Sequence, residues 1–337
     1  MVKDKKKLLI IILVIAVIPL VIRSRTVLNA LVLLLIYATL GEAWNIITGF
    51  AGQTSFGHAA FFGIGAYTSA VLFFRYEISP WIGLILGAVL AAVVAGVASF
   101  PFFKKTRGHY FAIATLAIAE IVKQIFVSWD YVEGATGISI PIIPRDSSFF
   151  TRLINLQFNE RLPWVYLTLI LFSLTIFAAS YLENSKIGFY LKAIRESQEA
   201  SEAIGINPRK YKLIAMMTSA FIAAIAGSLY AQYILYIDPF MMFSLDISMK
   251  IVLLTVLGGI GSVYGPIIGA AIFIPLSEFT RIQLGGSGTG IDLMIYGLLI
   301  VVITSYQPKG VIGIIETVRN RRNKNNDGGE GKGEAAS

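Results

Sequence analysis

The 337-residue chain is 56% hydrophobic and only 14% charged. Soluble domains carry about 25% charged residues, so a soluble enzyme of this length would lack the charge to solvate its surface. The absence of cysteine excludes a disulfide scaffold, a thiol nucleophile and a Cys-ligated metal. The net charge of +8 comes without the interleaved aromatics of a nucleic-acid-binding stripe, so no nucleic-acid partner is expected.

The apolar residues fall in blocks near the roughly 20 residues that cross a bilayer. In chain order these are 8–22, 26–47, 56–74, 81–103, 109–129, 163–182, 213–237, 250–279 and 290–307. They predict an all-α, polytopic transmembrane bundle of about 8–10 spans. The first block is short and follows Lys3, Lys5, Lys6 and Lys7, as a signal peptide would. Arg23 and Arg25, rather than a small-residue cleavage pattern, come after it, so it reads as an uncleaved first span.

Glycine clusters interrupt two blocks. Gly49, Gly52, Gly57, Gly63 and Gly65 surround Gln53, Ser55 and His58, and predict a break over 49–65. The block 250–279 holds Gly258, Gly259, Gly261, Gly265, Pro266 and Gly269. Each interior glycine costs a helix about 1 kcal/mol and proline more, so this block is expected as one broken span or two short ones. Irregular backbone at membrane depth survives only when buried in protein or lining a cavity, which points to a transport path. Gly49-x-x-Gly52-x4-Gly57 and Gly258-x-x-Gly261-x3-Gly265 form a pair of broken segments, the pattern of an internally duplicated transporter. Glycine-mediated helix packing accounts for the same pattern.

Lys and Arg mark the cytoplasmic side. The N-terminus, Lys104 to Arg107, 183–212 and 308–337 carry nineteen of them, against seven in the alternate loops. Both termini and the 183–212 loop are therefore expected in the cytoplasm, and the 130–162 loop outside. Two termini on one side need an even number of crossings. A re-entrant 250–279, entering and leaving on the outer side, supplies it. The tail beyond Arg322 is polar and Gly-rich and is expected to be disordered.

No phosphate-cradling G-x-x-x-x-G-K-[S/T] is present, so this chain is not expected to hydrolyse ATP. Two histidines, His58 and His109, are too few and too far apart for a His-based metal site. The LGGSGTG stretch around Ser287 reads as a flexible loop rather than as a nucleophile. No enzyme is expected, and no cofactor or metal on this chain.

Ionisable and polar residues at membrane depth are the functional candidates. Glu42 and Asn45 sit in LGEAWN, and Gln53, Ser55 and His58 in the first glycine break; with Gly258, Gly261 and Gly265 they are the path candidates. For Glu42, an interhelical hydrogen bond is an equal alternative. Glu120 and Lys123 are spaced to pair on one helix face. In the 183–212 loop, a helix–turn–helix pattern carries Arg195, Glu199, Ala200, Ser201, Gly205 and Asn207. A short helix with a small-residue turn can seat in a groove on a soluble partner, with flanking charges fixing register.

Glu199-Ala200-Ser201-x3-Gly205 follows the E-A-A-x3-G spacing and resembles the loop by which ABC importer permeases dock onto their ATPases. The stretch GFAGQTSFGHAAFFGIGAYTSAVL (49–72) resembles the signature of branched-chain amino-acid ABC transporter permeases. RGHYFAIATLAIAE (107–120), GFYLKAIRESQEASEAIGIN (188–207), GGIGSVYGPIIGAAIF (258–273) and YQPKGVIG (306–313) follow in the family's order. RGHYF and the ATG of 135–137 look LivM-type; Ser201 departs from the usual alanine. The resemblance implies a permease domain over 26–313 between a first span (1–25) and a tail (314–337). It implies a LivH-type companion permease, two ATP-binding cassette subunits that use the ATP, and an external solute-binding protein. It also implies location in the inner membrane. Urea and other amide permeases share much of the signature. An ion-coupled secondary transporter would explain Glu42, Glu120 and the broken helices but leave the docking loop without a role, and a structural membrane subunit would make no lining residue matter.

Overall fold

The computed structural model describes residues 2–105, 109–144, 146–283, 294, 297–298, 301 and 310–313. Expectations for Arg107, Ser287, most of the block 290–307 and the tail beyond 313 lie outside the described residues. The helices run, in order, α1 (Val2–Val21), α2 (Arg25–Asn45), α3 (His58–Tyr76), α4 (Pro80–Ser99), α5 (Phe102–Lys105), α6 (His109–Ser128) and α7 (Phe149–Ile154). They continue with α8 (Arg161–Glu183), α9 (Lys186–Glu196), α10 (Gln198–Ala203), α11 (Pro208–Ile234), α12 (Pro239–Met242), α13 (Leu245–Gly258) and α14 (Gly265–Gln283). Two short strands, β1 (Ile138–Ser139) and β2 (Tyr236–Ile237), pair antiparallel, Ile138 opposite Ile237. The fold is an all-α polytopic bundle. Among the described residues six helices are long and apolar enough to cross a membrane: Arg25–Phe50, Pro80–Ser99, Tyr110–Ser128, Arg161–Glu183, Pro208–Ile234 and Pro239–Gly258. Leu8–Val21 and Gly265–Thr280 are shorter apolar helices.

The 27-residue α11 is the axis of the bundle and packs on α2, α3, α4 and α8. Lipid tails are as apolar as leucine, so helix association in a membrane rests on close backbone approach and interhelical bonds rather than on hydrophobic burial. The sequence supplies both. Ala220, Ala223, Ala224 and Ala231 are wholly buried on α11. A side chain at Gly65 would strike the Ala224 carbonyl, and one at Gly227 the Phe62 carbonyl. Ser228 Oγ donates to Gly65 O at 2.8 Å. Gly63 and Gly65, expected within a break, are thus inside α3, where their missing side chains admit α11 and the Phe243 ring. The break itself is confined to a π-helical turn, Ile46–Phe50, and a non-helical stretch over 51–57.

The second break falls inside 250–279 as expected. α13 ends at Gly258, 259–264 is non-helical, and α14 starts at Gly265. The two helices form an antiparallel hairpin. Gly258 lies against Gly265 and Gly269 against Leu254, with backbone on backbone at both points. The hairpin leans on α2, where a Cβ at Gly41 would meet Leu254, Thr255 and Pro266.

The bundle has two distinct ends. At one, the 130–162 segment ties helices together. Arg75 Nη2 meets Glu133 Oε1 at 2.7 Å, and Arg75 Nε donates to Tyr131 O. Ser79 and Trp81 donate to the Ile154 and Leu153 carbonyls, and Arg161 donates to Arg25 O. At the other end lie α9, α10 and both glycine breaks.

Candidate functional site

The first break is fastened by polar side chains drawn from otherwise apolar helices. Trp44 Nε1 donates to Ser55 O at 2.6 Å, and Thr48 Oγ1 to Gln53 O at 3.0 Å. Phe56 N–H donates to Thr115 Oγ1 and Ala59 N–H to Ser248 Oγ, both at 3.0 Å. His58 is wholly buried, with Nδ1 3.2 Å from Ser55 Oγ and Nε2 2.7 Å from Ser219 Oγ. Ser219 Oγ donates onward to Ala43 O at 2.5 Å. With that hydroxyl proton committed, Ser219 accepts from Nε2–H, and Nδ1 accepts from Ser55. The ring therefore takes one tautomer in an ordered chain from Ser55 to the α2 backbone. Unpaired buried polar groups cost about 1–3 kcal/mol each, so these bonds fix the geometry of the break.

The two breaks touch. A Cβ on Gly49 would sit 2.7 Å from Gly261 N. Asn45, the last residue of α2 before the π turn, bridges them: its Oδ1 accepts from Gly261 N–H at 2.8 Å and its Nδ2 donates to Ser262 O at 3.1 Å. Gly52 (φ +69°) and Gly261 (φ +83°) both take left-handed backbone that other residues rarely adopt. One turn back, Glu42 is wholly buried. Its Oε1 is 3.5 Å from Asn45 Nδ2, and its Oε2 has no hydrogen bond among the described residues.

Arg195 joins this junction from the 183–212 loop. Its Nη1 donates to Gly49 O at 2.6 Å, its Nη2 pairs with Glu196, and its side-chain stem covers Gly52. Arg195, expected to fix register on a partner, thus also bonds into the bundle while its side chain stays 37% exposed. Between it and the first break lies a cavity of about 300 Å³, with Gln53 on one wall and Gln198, Glu199 and Lys212 on the other. Gln53 is buried, and its Oε1 has no hydrogen bond among the described residues.

Caps define the rest of the loop. Ser185 starts α9, Ser197 starts α10 by accepting from Ala200 N–H, and Asn207 starts α11 by accepting from Lys210 N–H. Ser201 is buried, its hydroxyl donating to Ser197 O within α10 at 2.9 Å, so the departure from alanine is satisfied locally. Lys212 Nζ donates to Gln198 Oε1 at 2.8 Å and ties α10 to α11. Glu199 and Ala200 are exposed, and Ile204 is 75% exposed at the loop's tip. Gly205 has φ +83° and open space around it, so glycine is there for its backbone and leaves the surface free.

The structure thus gathers Asn45, Gly49, Gly261 and Arg195 into one junction. It sets Ser55 and His58 in the adjoining lock and Gly258 and Gly265 in the hairpin, with Glu199, Ala200 and Gly205 on the outer surface. Sequence reading missed Ser219, Thr115 and Ser248. Their only signal is that each is a hydroxyl in an apolar run.

The sequence model of the family described as "Branched-chain amino acid transport system / permease component" matches residues 26–304. The chain belongs to this permease family. The permease is 29% identical to the high-affinity branched-chain amino acid transport system permease protein LivM of Escherichia coli K12, over 98% of this chain and 79% of the relative. It is 26% identical to LivH of Salmonella typhimurium over 82% of this chain and 91% of the relative. It is 25% identical to a probable LivM of Methanocaldococcus jannaschii, over 82% and 90%. No solved structure matches it.

Proposed function

We propose that this permease is the LivM-type subunit of an ABC importer that moves branched-chain amino acids across the inner membrane by ATP-driven alternating access. A LivH-type companion, two ATP-binding cassette subunits below and an external solute-binding protein complete the machine. Both termini and the 183–212 loop face the cytoplasm, following the Lys/Arg asymmetry. The observation that carries the reading is the direct bond from the loop to the breaks, Arg195 Nη1 to Gly49 O at 2.6 Å, with Asn45 joining the second break. ATPase closure would press α10 through its exposed face around Glu199, Ala200 and Ile204. α9 would carry Arg195, and Arg195 would carry the carbonyl at the π turn. The two breaks, tied by Asn45, would move together and open the cavity between the permeases to one side and then the other.

Replacing Gly205 with leucine tests the docking surface. It forces a side chain into left-handed backbone at the loop tip while leaving the spans untouched. Leucine uptake is expected to fall about tenfold or more, the equivalent of 1.4 kcal/mol or greater, with the same amount of permease in the membrane. Normal uptake would sink the docking assignment. Glu42 favours one rival, a proton-coupled path. Uptake that follows the proton gradient and ignores ATPase inhibition would support it.

A further inference from the structure

α4 and α6 both turn long faces outward, and only that of α6 carries an exposed carboxylate. On α4 every exposed residue is apolar, Ile82, Val89 and Val97 among them, as contact with lipid requires. α6 is the least buried of the six crossing helices, at 22% of its apolar window. Its exposed face is also mostly apolar, with Ile113, Leu116, Ile121 and Ile125, but Glu120 and Gln124 stand among them. The Glu120 side chain is 53% exposed; it holds Lys123 Nζ at 3.0 Å and Gln124 Nε2 at 2.9 Å. Glu120 stands eight residues before the end of α6, about 12 Å along the axis, in the middle part of a helix of spanning length. With Ile121, Gln124, Ile125 and Ser128 it lines a shallow depression of about 430 Å³.

An ion pair on a lipid-facing surface is expensive, and ionisable residues in spans face the bundle interior or a water-filled cavity. A dry protein contact over the pair would strip its water, a cost that its attraction offsets poorly. A wet path avoids both costs. The depression sets one carboxylate and one amide beside two branched aliphatic side chains, with the Lys123 ammonium held on that carboxylate from outside the lining. That set complements an α-amino acid with an aliphatic side chain. Resting on the importer reading above, we propose that this α6 face is a substrate-binding wall of the path between the permeases. The substrate ammonium displaces Lys123 from Glu120, the freed Lys123 takes the carboxylate with Gln124, and Ile121 and Ile125 receive the side chain.

The chain has no cysteine, so Ser128→Cys gives it a single thiol, at an exposed position of the depression that takes no part in holding the substrate. The full transporter, with companion, ATPases and binding protein, is placed in proteoliposomes and treated with a charged, membrane-impermeant methanethiosulfonate. The thiol is expected to react, and leucine to slow the reaction several-fold. Isovalerate and isopentylamine, with one charge each, should slow it less. Glu120→Gln is expected to raise the half-saturating leucine concentration for uptake about tenfold, as loss of one charged bond would. A thiol that reacts in the chain alone but not in the assembly would make this face a dry permease–permease contact. Reaction without protection by any α-amino acid, and unchanged uptake from Glu120→Gln, would make it a wet wall without a binding site. Either result overturns the proposal. Protection by another zwitterion, with leucine neither protecting nor carried, would instead overturn the substrate reading under Proposed function and leave this site standing.

Discussion

The two glycine breaks differ in what chiefly holds them. The break over 51–57 is held by what side chains add: Trp44, Thr48, His58 and Ser219 within the break and its supports, and Thr115 and Ser248 from neighbouring helices. The break over 259–264 takes side-chain bonds from Asn45, and its flanks meet through what glycine leaves out, since Gly258, Gly265 and Gly269 let α13 and α14 meet backbone to backbone. A side-chain lock can be loosened one bond at a time. A backbone contact has no slack to give. The first break is therefore suited to flex, with Arg195 on its carbonyl, and the second to serve as a stiff hairpin that follows through Asn45.

The sharpest way to break this contrast is Gly258→Leu. Its side chain would collide with the Gly265 carbonyl and with Gly269 N. Overpacking against backbone belongs among the severe substitutions, above about 4 kcal/mol. We expect no folded permease by size-exclusion chromatography in detergent; a monodisperse, active variant would show the hairpin to be pliant.

Asn45→Leu attacks the joint. It leaves the Gly261 N–H and the Ser262 carbonyl without their partner. Each such group costs about 1–3 kcal/mol, so a thermal midpoint several degrees lower is expected, together with lost uptake. A stable variant with normal uptake would mean that the breaks move independently.

The smallest effect is expected from His58→Phe, which keeps a ring against Phe61 but releases Ser55 and Ser219. Interhelical bonds in membranes are worth about 0.6 kcal/mol on average and up to about 1.7 kcal/mol. The midpoint should fall by a few degrees with the permease still inserted. A loss as large as that of Gly258→Leu would erase the distinction between the two breaks.

Much of this architecture is legible in the sequence because membrane helices announce themselves by length and apolarity. The block 250–279 declares its interruption by crowding glycine and proline into a few residues. The first break is harder to bound. Glycine serves equally for a broken helix, as at Gly52, and for close packing inside an intact one, as at Gly63 and Gly65, and spacing does not separate the two uses. Arg195 shows a second kind of ambiguity. Its place in a charged loop is readable, but the direction of its side chain depends on the helix break 146 positions earlier that it caps. Ser219, Thr115 and Ser248 are lost for the plain reason that a hydroxyl in an apolar run most often bonds its own helix, as Thr39 and Thr168 do here.

Coupling between the loop and the breaks turns on the bond from Arg195 to Gly49. Arg195→Ala in the assembled transporter, with ATP hydrolysis and leucine uptake measured on the same proteoliposomes, tests it most directly. Loss of a charge-assisted bond of about 1.5–3 kcal/mol should leave ATP hydrolysis running and lower uptake per ATP about tenfold or more. Uptake per ATP equal to that of the unaltered permease would contradict it.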